Sequence, residues 1–251
     1  MRIGSVPYLN ARPLVDALER DPRPGISLSY ATPAVLIARL LAGELDIAMA
    51  STFAALEHPE LVLLREMGVT NTGAAWSVRL ISRVPLAEAR TLALDASSRS
   101  SVAMARIILA DRYSVFPTCI SAPPDLDAML ARADAAVLIG DIGLAIQPRG
   151  VLDVDLGAEW YALTGLPFFF AGWMARDAAL LEEAAPVLRA SLAHGLARLE
   201  GIAAEEAARL HLPADRCYAY LHDVMQYHAG EAEWAGLEAF RMRATRLGLL
   251  P

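Results

Sequence analysis

The densest group of chemistry-bearing side chains in the sequence is Ser97-Ser98-Arg99-Ser100-Ser101. It follows a strand-like run over residues 91–94, ending in Asp95, and opens a helical stretch over 102–111. Backbone N–H groups at a helix start, with four hydroxyls and one guanidinium beside them, suit a carboxylate or a phosphate. The alternative for any one serine is a plain N-cap. Tyr8 and Asn10 follow the first strand, at the edge where open α/β sheets meet their ligands. Both can hydrogen-bond a polar ligand without carrying charge, although Asn10 could equally cap the next helix. Ser51 and Thr52 close another strand, where their hydroxyls could reach the same crevice or cap a turn. Gly140-Asp141 follows a third strand. Asp141 could orient a ligand hydroxyl, accept a proton, or cap residues 142–146. Phe168, close to Trp160, Thr164 and Pro167, could wall a ring-shaped ligand or pack a hinge.

Strands and helices must alternate to position these groups. Strand-like runs cover 2–6, 26–30, 45–50, 61–64 and 74–82, with helices over 12–19 and 34–42 between them. The pattern restarts after Arg83-Val84-Pro85, with strands at 91–94, 118–121, 135–139, 151–155 and 168–174. From Asp177 onward the periodicity is helical, and Pro186 is expected to kink or restart that stretch. Continuous apolar strands separated by helices predict sheets covered on both faces. The expected architecture is α/β with two lobes and a ligand cleft between them. Lobe 1 takes residues 1–83 and 175–251, lobe 2 takes 84–174, and the long strands at 74–82 and 168–174 make the crossings.

Composition removes several alternatives. The 251 residues carry net charge −7, with 22 Lys+Arg against 29 Asp+Glu, so no basic footprint for nucleic acid or anionic lipid exists. Every cation among these is arginine, which excludes a Schiff-base lysine and a Walker lysine. His58, His194, His211, His222 and His228 show no metal spacing, and no GxGxxG is present. No metal or redox cofactor is expected. The apolar runs fall short of the roughly 20 residues a spanning helix needs. Cys119 and Cys217 form no CxxC pair, and the first strand begins at once with no apolar leader, so a cytoplasmic protein is expected. An exposed apolar face on the carboxyl-terminal helices would suit a homodimer.

The run Ile3-Gly4-Ser5-Val6-Pro7-Tyr8-Leu9-Asn10-Ala11-Arg12-Pro13-Leu14 resembles the opening of the chorismate dehydratase family. The resemblance continues through Gly43-Glu44-Leu45-Asp46-Ile47-Ala48, Asp95 to Val102, Ile139-Gly140-Asp141, Asp155 to Trp160 and Thr164 to Phe168. Ser100 stands where the family pattern has threonine, which keeps the hydroxyl. The resemblance implies a fold like the type II periplasmic binding proteins. It also implies dehydration of chorismate to 3-[(1-carboxyvinyl)oxy]benzoate in the futalosine route to menaquinone, with chorismate as the small-molecule partner and no cofactor. Asn10 and Asp141 are then the candidate catalytic residues. Tyr8, Ser51, Thr52, the turn Ser97–Ser101, Gly140 and Phe168 are the candidate substrate contacts. The rivals are the sister dihydroxynaphthoate synthase, whose opening motif differs, and a non-catalytic anion-binding protein of the same fold, which would normally carry a leader. A regulator's effector domain would need a DNA-binding helix-turn-helix before the first strand.

Overall fold

The computed structural model describes residues 1–95 and 98–250. The chain opens with β1 (Arg2–Ser5), a short 3-10 turn (Leu9–Ala11), α1 (Arg12–Arg20), β2 (Ser27–Tyr30) and α2 (Pro33–Leu41). It continues through β3 (Ile47–Ser51), α3 (Thr52–Glu57), β4 (Val62–Asn71), β5 (Arg79–Ser82) and β6 (Thr91–Asp95). Next come α4 (Ser100–Tyr113), β7 (Thr118–Ala122), α5 (Leu126–Arg132), β8 (Ala135–Leu138), α6 (Gly140–Ala145) and β9 (Leu152–Asp155). The remainder is α7 (Leu156–Thr164), β10 (Phe168–Ala175), α8 (Ala178–Ala197), α9 (Leu199–Leu210), α10 (Ala214–Ala219), β11 (Gln226–His228) and α11 (Glu231–Arg246). Pro186 lies within α8, which runs through it as one helix.

The strands form a six-stranded sheet, ordered β11-β4-β10-β3-β1-β2, and a five-stranded sheet, ordered β7-β6-β8-β5-β9. This is the α/β architecture that the alternating pattern predicts. Two compact units follow, one of residues 1–70 with 169–231, the other of 71–168 with the carboxyl-terminal residues from 232. These divisions differ from those expected at 83/84 and 174/175. The apolar run at 74–82 is not one long strand: only Arg79–Ser82 joins a ladder, in the second sheet. The last helix, assigned to the first lobe by sequence, groups with the second unit. Phe240 packs edge-on against Trp160 and Phe168, at 5.9 and 5.0 Å between ring centroids, and Arg243 and Arg246 both pair with Asp111.

In the first unit every residue of β3 is buried, because the strand lies between β1 and β10 under helices. Leu36 and Leu40 of α2 pack with Leu45 and Met174 over this sheet, each such side chain contributing about 2 kcal/mol of burial. Pro33 fits the first turn of α2, where its missing N–H costs nothing. In the second unit Ile81, Ala93, Met129 and Leu138 form the corresponding core. Among the described residues no helix is long and apolar enough to cross a membrane.

Helix α1, which follows the Tyr8–Ala11 segment, is fixed by charge as well as by packing. Ser191 Oγ donates to the Leu14 carbonyl at 2.9 Å, tying α8 to α1. Asp16 is only 1% exposed, yet it accepts from Arg20 Nε and Arg198 Nε, both at 2.9 Å. Burial alone would raise its pKa, but the two guanidiniums hold the carboxyl below its ordinary value. Asp16→Asn is expected to lose on the order of 2 kcal/mol of stability at neutral pH in urea denaturation. A depressed carboxyl stabilises above its unfolded pKa, and that contribution disappears as pH falls through the lower folded value. The gap between wild type and variant should therefore close in acid below about pH 4.

Candidate functional site

Strand polarity decides which residues share an edge. In the first unit β1 runs parallel to β3, with Ile3 opposite Ile47 and Gly4 opposite Ala48. Their carboxyl ends lie side by side, so Tyr8 and Asn10 follow one strand and Ser51 and Thr52 end the other. Antiparallel β10 starts at this same edge, with Ala171 opposite Ser51. Tyr8 is partly buried with extended backbone, and Asn10 sits in the 3-10 turn, also partly buried. Ala11 occupies the N-cap of α1, so Asn10 does not cap it, and its amide has no hydrogen-bond partner among the described residues.

The hydroxyls of the neighbouring strand end are engaged in structure. Ser51 Oγ accepts from Phe53 N at 3.3 Å, capping α3. Thr52 is fully buried and donates to the Phe169 carbonyl at 2.6 Å. Arg12, within the same opening motif, is likewise committed. Its guanidinium donates to Tyr30 at 3.0 Å and to Glu19 at 2.5 Å, and its Nε lies 3.1 Å from Glu206. Burial, with Glu19 nearby, pushes the Tyr30 phenol up to about 12, so it stays protonated beside the arginine.

In the second unit β6 runs parallel to β8, with Leu94 opposite Val137. Asp95, and Gly140 with Asp141, therefore stand at neighbouring strand ends. Ser98 N donates to the Asp95 carbonyl at 3.0 Å. Arg99 is exposed and holds the N-cap position of α4 without a side-chain capping bond; Ser100 and Ser101 are buried in the first turn. The N-cap of α4 is thus an arginine and not one of the described serines. Ser97 lies outside the described residues. Helix α6 starts at Gly140, whose φ is +60°, with Ile139 at its N-cap; Asp141 falls inside the first turn, partly buried, and is not the cap.

Phe168 is 1% exposed and meets Trp160 edge-on at 5.3 Å. The Trp160 indole N–H donates to the Pro167 carbonyl at 3.3 Å, and Thr164 donates to the Trp160 carbonyl at 2.8 Å. These side chains form core, not a wall open to a ring, because Phe240 covers them.

Sequence reasoning missed Asp155. At the end of β9, its Oδ1 accepts from Ala158 N at 3.0 Å, capping α7, and from Ala75 N at 2.9 Å, while Oδ2 accepts from Trp76 N at 2.6 Å. An acidic residue before a helix is visible in sequence as a cap. The clamp on a loop some 80 residues earlier is not. A Cβ at Gly157 would come within 2.7 Å of the Gly73 carbonyl oxygen, so only glycine lets α7 close on this loop. Among the described residues no group of three or more His, Cys, Asp or Glu could hold a metal ion.

The edge in the first unit therefore offers the Asn10 amide, and the edge in the second offers Ser98–Ser101 at the start of a long helix with Asp141 at the neighbouring strand end. Donors at a helix start suit a small carboxylate, and the Asp141 side chain is of a type that can move a proton. The fold is that of the periplasmic binding proteins. The aliphatic sulphonate binding protein SsuA of Escherichia coli superposes with TM-score 0.67 at 19% identity, covering 100% of this chain and 88% of its own. A crystal structure of an Archaeoglobus fulgidus protein matches at TM-score 0.80 and 17% identity, over 99% of this chain and 98% of its own. Sequence defines the family more narrowly: the chain belongs to the menaquinone biosynthesis family, matched over residues 1–246. It is 31% identical to the chorismate dehydratase of Thermus thermophilus, over 98% of this chain and 95% of that protein.

Asp155→Ala should remove the cap and the clamp together. The expected loss is about 3 kcal/mol in denaturant unfolding, larger than for an ordinary N-cap because two further N–H groups lose an ionised acceptor.

Proposed function

We propose that this protein dehydrates chorismate to 3-[(1-carboxyvinyl)oxy]benzoate. The observation that carries the reading is the 31% identity to a chorismate dehydratase across 98% of the chain. The strand-end chemistry supports it. In chorismate the ring carboxylate is conjugated through C1=C2, so the C3 proton is acidified vinylogously. A base takes that proton, its electron pair becomes the C3=C4 bond, and the C4–O bond breaks. Hydroxide leaves and, with the proton, balances as one water. The enolpyruvyl ether stays in place, and aromatisation drives the step. No electrons are transferred to or from the substrate.

The turn at Ser98–Ser101 is assigned to the ring carboxylate, where donors at a helix start stabilise the enolate-like charge as it develops. Asn10, with its amide unengaged, is assigned to orienting the substrate and hydrogen-bonding the departing hydroxyl. Two bases are open to the reaction: Asp141, and a carboxylate of the substrate itself. A cytoplasmic setting suits this role and the two free thiols, Cys119 and Cys217.

Incubation with chorismate should yield a product one water lighter that retains the enolpyruvyl group, read by chromatography with mass detection; unchanged chorismate would overturn the reading. Asn10→Ala is expected to lower turnover about 100-fold. Its melting temperature should stay at the wild-type value, since no described residue loses a bond; unchanged turnover would remove its assigned role. Asp141→Asn separates the two bases. A collapse of turnover assigns the proton transfer to Asp141, and near-wild-type turnover assigns it to the substrate.

A further inference from the structure

Trp76 adopts φ +60°, in the left-handed region that side chains other than glycine avoid. Ser77 N donates to the Ala75 carbonyl at 2.7 Å, closing a three-residue turn around it. A turn of this hand, with positive φ at its centre, is the rare and strained form of the γ-turn. Nothing in the core requires it. Trp76 is only partly buried, and among the described residues its ring has no aromatic partner and its indole N–H no acceptor. By contrast, Trp160 and Trp173 are fully buried.

The strain is imposed from three sides. Asp155 binds the N–H groups of Ala75 and Trp76. Helix α7 closes on Gly73 and Ala75 at Gly157, and α6 approaches so tightly at Gly143 that a Cβ there would lie 2.3 Å from the Ser77 carbonyl oxygen. Strain held this firmly around an incompletely buried aromatic ring is a signature of function. Register locates it: antiparallel β5 and β8 pair Arg79 with Leu138, so the turn just before Arg79 stands beside Gly140 and Asp141, just after Leu138.

We propose that Trp76 is a specificity-determining residue, its indole packing against the conjugated diene face of the chorismate ring. This inference rests on the functional reading above. An aromatic face selects a ring with a conjugated diene over an open-chain or saturated anion of the same charge. The contact is made in ground state and transition state alike, so its loss raises KM and leaves kcat nearly unchanged.

The test compares Trp76→Gly, Trp76→Phe and wild type in one chorismate assay, with melting temperatures alongside. Glycine removes both the indole and the left-handed strain. It should melt no lower than wild type while KM rises about tenfold, the size expected for one aromatic contact. Phenylalanine restores a ring and should bring KM back to within about threefold. A Trp76→Gly protein with wild-type KM, one that loses kcat alone, or one that fails to fold would overturn the proposal. So would a Trp76→Phe protein as impaired as glycine. Wild-type protein that leaves chorismate untouched would overturn the functional reading as well, which tells the two failures apart.

Discussion

Parallel pairing at two places, β1 with β3 and β6 with β8, is the constraint on which every candidate site residue depends. Parallel neighbours end at the same edge, and each end must turn into a helix or loop outside the ladder. The backbone groups and short polar side chains of those turns are thereby gathered without any long-range design of the loops themselves. Tyr8 and Asn10 owe their place to β1, and the serine turn owes its place to β6. Each sheet's mixed order also brings the start of an antiparallel strand to that edge, β10 in the first unit and β5 in the second.

Most of the charge is engaged in holding this scaffold. Arg12 and Asp16 anchor α1, the first against Tyr30 and Glu19, the second against Arg20 and Arg198. Asp155 uses both carboxylate oxygens on backbone N–H groups. The candidate residues at the strand ends are mostly uncharged or sit at a helix start. That suits a reaction in which the substrate brings its own carboxylates and the protein's task is to orient them and stabilise developing charge.

The alternation of strands and helices was legible in the sequence because buried strands such as β3 are continuously apolar and helix starts carry Pro33 or an aspartate. The order of pairing was not, since apolar runs do not encode which neighbour a strand takes. The run at 74–82 shows the limit. Its composition reads as strand throughout, yet Asp155 draws the Ala75 and Trp76 N–H groups out of any ladder. Helix α11 was likewise placed with the wrong partner unit, because an apolar stripe says that a face is covered but not by what; Phe240 lies on Trp160 and Phe168. Among the candidate site residues, Asn10, the serines of 98–101 and Asp141 stand out by type and position at strand ends. Ser51 and Phe168 had equal claims by pattern, and only packing showed the first capping α3 and the second inside a core.

Which atoms leave chorismate separates this elimination from any other loss from the ring. Substrate carrying deuterium at C3 and heavy oxygen in the C4 hydroxyl would be turned over and its product weighed. The account predicts a product that has lost both labels and kept the enolpyruvyl ether, with the heavy oxygen recovered in water. Retention of either label, or release of the enolpyruvyl group as pyruvate, would contradict it.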